Sequence, residues 1–201
     1  LGRASFPLFA YAAAIAVLRE APVPPRRYVF RLLVVAALAQ PAYYWVLKAR
    51  QANILFTLAL GAVWTTLSLR VTPVVVYAIY TIALLPWWPP LPLDYGLLGI
   101  LLPSALALAL QGHRGSSLFL FLLLVAINTG GWAVLTRENL NQMVILFHVA
   151  NSLAATLLPL LIIHVAKYMS QIHRLLPKHA LYVFYPVHLV ALKYLIPYVF
   201  K

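Results

Sequence analysis

Apolar stretches of membrane-helix length follow one another along almost the whole chain, and this constrains the fold more than any other feature. Eight can be drawn, at 5–18, 28–47, 53–69, 71–86, 95–111, 117–135, 143–167 and 180–199. A helix crosses the hydrocarbon core of a bilayer with about 20 apolar residues, and about 17 is a working minimum. The first and fourth stretches are the shortest. Breaker chemistry separates them at Ala21-Pro22-Val23-Pro24-Pro25, at Trp87-Trp88-Pro89-Pro90-Leu91-Pro92 and at Gly112-His113-Arg114-Gly115. Little chain is left over for a separate soluble domain. The expectation is an all-α fold, a polytopic transmembrane helical bundle of about eight helices, forming a single domain over residues 1–201. The chain starts at Leu1 rather than Met, with Arg3 close behind, and reads as one entered part-way.

Charge supports this. Only 9% of residues are charged and 64% are hydrophobic, whereas soluble domains carry roughly a quarter charged residues. Fifteen Lys and Arg stand against three acids, Glu20, Asp94 and Glu138. In a soluble protein a net charge of +12 would point to nucleic acid. Here it matches the habit of membrane proteins of keeping basic residues in cytoplasmic loops, so membrane lipids are expected as partners and nucleic acid is not. Alternate loops divide the basic residues unequally. Arg19, Arg26, Arg27, Arg70, Arg114, Lys167, Arg174 and Lys178 fall on one side, and Lys48, Arg50, Arg137 and Lys201 on the other. The richer side is taken as cytosolic, which places Asp94 on the outer side. The absence of cysteine excludes disulfide scaffolds, zinc fingers and cysteine nucleophiles. Three acids are too few for a carboxylate-rich metal cage, and no metal is expected.

Polar groups at bilayer depth are expensive and tend to face the bundle interior. Arg31 lies one turn into the second stretch, where it could snorkel to headgroups or serve a site. Asn53 and Thr57 are four residues apart on one helix face, and Asn53 equally reads as a helix cap. Asn128-Thr129-Gly130-Gly131 reads as a close-packing spot. His148, Ser152 and Thr156 form a polar stripe. Tyr182, Tyr185 and His188 recur every third residue around Pro186. His188 sits about 12 Å in from Ala180 at 1.5 Å of rise per residue; it is a catalytic candidate or a neutral, hydrogen-bonded ring. No Gly-rich phosphate loop, His-Glu-x-x-His or Gly-x-Ser-x-Gly occurs.

Several segments, taken in order, resemble the TraX family of membrane acetyltransferases, named for the enzyme that acetylates the N-terminus of F-type pilin. They are Gly2-Arg3-Ala4-Ser5-Phe6-Pro7-Leu8-Phe9, Tyr28-Val29-Phe30-Arg31-Leu32-Leu33 with Gln40-Pro41, Asn53-Ile54-Leu55-Phe56-Thr57-Leu58, Asp94-Tyr95-Gly96, and Tyr182-Val183-Phe184-Tyr185-Pro186-Val187-His188-Leu189. The middle, roughly 100–175, resembles the family only in hydrophobic character. The resemblance implies a further N-terminal helix carrying an Asp-His pair upstream of Leu1.

The resemblance also implies a chemistry: transfer of an acetyl group from cytosolic acetyl-CoA to an acceptor amine at a pilin N-terminus, or to a sugar hydroxyl of a surface glycan. The setting would be a multi-pass protein of the bacterial inner membrane. His188 is then the candidate base with Tyr185 as its partner or oxyanion donor, unless the upstream Asp-His pair is the base, in which case His188 positions the reactants. Arg31, Lys178 and Tyr182 are candidates for holding the donor, since a guanidinium fork suits phosphate. Arg3 and Asn53 are candidates for orienting the acceptor. Two other classes stay open: a non-enzymatic transporter, and a structural subunit of an envelope or pilus complex.

Overall fold

Helix starts and stops follow local chemistry. The computed structural model describes residues 2–20, 26–47, 51–85, 91–113 and 115–128, with positions 150, 153, 157, 160, 161 and 187. Six helices succeed one another: α1 Gly2–Glu20, α2 Arg26–Leu47, α3 Ile54–Ser68, α4 Pro73–Ala83, α5 Gly96–Leu110 and α6 Ser116–Asn128. Asn53 caps α3, its side-chain oxygen accepting the Leu55 N–H at 3.0 Å and satisfying a donor that the first turn leaves open. Pro73 opens α4, where its missing N–H costs no helical bond. Before α5 the chain turns through Tyr95, left-handed at φ 63°, and Gly96 at φ 53°.

The all-α expectation is met across the described residues, whose one strand-like feature is an isolated parallel bridge between Ala52 and Leu93. The eight expected spans are met only in part. Arg26–Val46, 21 residues within α2, is the one described helix long and apolar enough to cross a membrane, by length and composition. The other apolar helices are shorter. The 15 residues of α3 rise roughly 22 Å, against about 30 Å of hydrocarbon. The shortening has local causes: the cap at Asn53 delays α3, and Pro73 delays α4. The stretches at 143–167 and 180–199 lie outside the described residues apart from isolated positions.

At the centre of the packing is α5. Every residue from Leu101 to Leu108 is buried, so the helix has no outward face over two turns. It packs most extensively on α3, then on α6 and α1, and lightly on α4. Missing side chains permit this closeness. A Cβ on Gly61 would lie 2.9 Å from Pro103 Cγ, and one on Gly99 would lie 2.8 Å from Thr57 Cγ2. By contrast α2 is peripheral, packed on α3. Its inner face carries Leu32, Ala36, Ala39 and Tyr43, while Phe30 is 67% exposed and Leu38 73%. Only 22% of its apolar window is buried. A core helix of a soluble protein would be mostly covered; this one turns its apolar side outward.

Candidate functional site

A network of polar side chains lies at the end of the bundle where α2 ends and α3 and α5 begin. Two backbone hydrogen bonds join the loops there: Ala52 N–H donates to the Pro92 carbonyl and Asp94 N–H to the Ala52 carbonyl, each at 2.8 Å. This bridge brings residues 51–53 beside 92–95.

Asn53 is the hub. It is fully buried, and a buried amide needs partners. Its Nδ2 donates to the Ala36 carbonyl at 2.8 Å and to Gln40 Oε1 at 2.9 Å. Its backbone N–H donates to the same Gln40 oxygen at 2.9 Å. Gln40 Nε2 in turn donates to the Gln51 carbonyl at 3.0 Å. Cap and cross-helix anchor are thus one residue, and the cap reading of Asn53 is met.

Asp94 adjoins this network. The Tyr43 hydroxyl donates to its carboxylate, and so does the Tyr95 backbone N–H. Gln51 Nε2 reaches the Tyr43 oxygen at 3.5 Å. Burial pushes the Asp94 carboxyl above its ordinary value, and the two donors only partly offset that rise. Thr57 Oγ1 donates to the Asp94 carbonyl at 2.5 Å, so the face shared by Asn53 and Thr57 turns toward this loop. Beneath it the rings of Phe6 and Tyr95 stack, centroids 4.0 Å apart and planes 9° apart.

The expected site residues fall into three groups. Asn53 sits in the network. Arg31 does not: it is exposed on α2, nine residues before Gln40, about 14 Å lower along the helix axis. Arg3 lies in the first turn of α1, its side chain outside the described residues, as are Lys178, Tyr182, Tyr185 and His188. His148, Ser152 and Thr156 are outside them too. Sequence reasoning gave no role to Gln40, Tyr43 or Gln51, and it placed Asp94 only by membrane side, with no network around it. One signal could have found Gln40: an amide inside an apolar stretch.

A described helical bundle with one membrane-length helix turning its apolar side outward points to a membrane protein. The family model described as TraX protein matches residues 1–196, and the chain belongs to that family. No curated protein matches it, and no solved structure does.

Proposed function

We propose that this chain is an integral-membrane acetyltransferase of the bacterial inner membrane, taking acetyl groups from cytosolic acetyl-CoA. The observation that carries the reading is the family match across residues 1–196, which runs through Tyr182, Tyr185 and His188. The geometry is compatible with it. A basic end holding Arg26, Arg27, Arg31 and Arg70 lies opposite the end organised by Asn53, so donor phosphates and acceptor would approach from opposite faces.

In this reading Arg31, Lys178 and Tyr182 hold the donor phosphates. His188 accepts the proton as the acceptor nitrogen or oxygen attacks the thioester carbonyl. Tyr185 donates to the oxyanion that forms. As the new C–N or C–O bond is made, the C–S bond breaks, and His188 returns its proton to the departing thiolate. Asn53 and Arg3 orient the acceptor, a pilin N-terminus or a glycan hydroxyl, and Asp94 with Tyr43 shapes the same rim.

The test is thiol release from acetyl-CoA by the purified full-length protein with a pilin peptide or a glycan. Release is expected, and His188→Ala should lower it by about 100-fold or more. No release with any acceptor, together with no acetyl-CoA binding, would overturn the proposal.

A further inference from the structure

Away from the polar end, α2 and α3 leave an apolar groove between them. It encloses about 280 Å³ and is walled by Val29, Phe30 and Leu33 of α2 and by Val63 and Leu67 of α3. Its charged lining residues are Arg26, the first residue of α2, and Arg70, just past the end of α3. The two helices are consecutive and joined by a short loop, so these arginines meet at one end. Thr66 also lines the groove, but its hydroxyl already donates to the Ala62 carbonyl at 3.0 Å. Its walls therefore offer no side-chain amide and no free hydroxyl proton to a peptide, a sugar or the amide-bearing arm of a coenzyme. The complement is an amphiphile with an apolar tail and an anionic head. The groove opens among Phe30, Leu33, Val63 and Leu67, all exposed, on the outward apolar side of α2. Basic pockets between membrane helices on the cytoplasmic side are known seats for anionic headgroups.

We propose that this groove binds an anionic phospholipid, with one acyl chain against Phe30, Leu33 and Val63 and the phosphate between Arg26 and Arg70. The groove shares the basic end that the donor would approach, but Arg31 is not among its lining residues, and lipid binding there does not require acetyl transfer.

Native mass spectrometry of the full chain, titrated with phosphatidylglycerol and phosphatidylcholine of equal chain length, tests it. Phosphatidylglycerol should bind roughly thirtyfold tighter, since two arginines near a headgroup contribute about 1 kcal/mol each. The R26Q/R70Q pair should abolish that preference. R19Q/R27Q removes the same charge from exposed positions and should keep it. Val63→Trp, which fills the groove, should weaken both lipids. Equal binding of the two lipids by the unaltered chain would overturn the proposal, as would equal loss in the two double variants. So would displacement of bound lipid by coenzyme A. Should R26Q/R70Q not fold, a diazirine-bearing phosphatidylglycerol on the unaltered chain decides. Labelling of the peptides holding Phe30 or Val63 supports the groove, and labelling confined elsewhere overturns it.

Discussion

The two ends of the α2–α3 pair are built on opposite plans. At the Asn53 end, side chains bond to one another and to backbone, and each polar group is tied to a partner on another helix or loop. At the Arg26–Arg70 end, charges flank an apolar groove and face outward. The first plan makes shape depend on single residues, because an orphaned buried group pays its whole desolvation penalty. The second makes shape tolerant and sets charge at an exposed rim. Substitutions at the first end should therefore damage folding, and substitutions at the second should damage binding.

The hardest test of this contrast is Asn53→Leu. It removes the α3 cap and the side-chain donor to Gln40 Oε1 and the Ala36 carbonyl, and puts an apolar side chain in a fully buried polar position. A loss of about 2 to 4 kcal/mol is expected, read as a lowered melting temperature in detergent. A change below about 0.5 kcal/mol would break the comparison. Next is Gly99→Ala. The new methyl would lie 2.7 Å from Tyr95 Cβ and 2.8 Å from Thr57 Cγ2, so the Asp94 loop must shift, at about 1 to 3 kcal/mol. Equal melting of the variant and the unaltered chain would show that the loop is not held as described.

A smaller effect concerns pH. The folded Asp94 carboxyl is raised above the ordinary 3.8, so the folded state holds its proton more tightly than the unfolded chain does. Its contribution to stability is full below 3.8 and is lost as pH rises through the folded value. Asp94→Asn should remove that slope from a melting series run upward from acid pH. The smallest structural effect is expected at Arg31→Ala: melting within about 0.5 kcal/mol of the unaltered chain, with weakened acetyl-CoA binding. A large loss of stability there would sharpen the comparison against us, by making Arg31 structural.

Much of the helix layout was legible. The stretches at 28–47, 53–69 and 95–111 contain α2, α3 and α5 to within a few residues, because apolar runs and Pro or Gly breaks are local signals. Asn53 as cap, and Asn53 with Thr57 on one face, followed from spacing. The Tyr43–Asp94 pair did not, because it depends on the Ala52–Leu93 bridge, and loop-to-loop pairing has no sequence period. Loop counting assigned Asp94 a side of the membrane but could not supply its neighbours. The groove was equally hidden: Val29 and Val63 belong to separate stretches, and only packing reveals that the space between them is unfilled.

One feature of the α3–α5 contact bears on motion. Pro103 seats against Gly61, Thr57 seats against Gly99, and the Ala52–Leu93 bonds lock the adjoining loops. A rod notched at two heights and clasped at one end has no axial play: sliding by a turn would drive side chains into both notches and part the clasp. The α3–α5 pair is thus a keel. Any opening of this bundle has to be made by the planks around it.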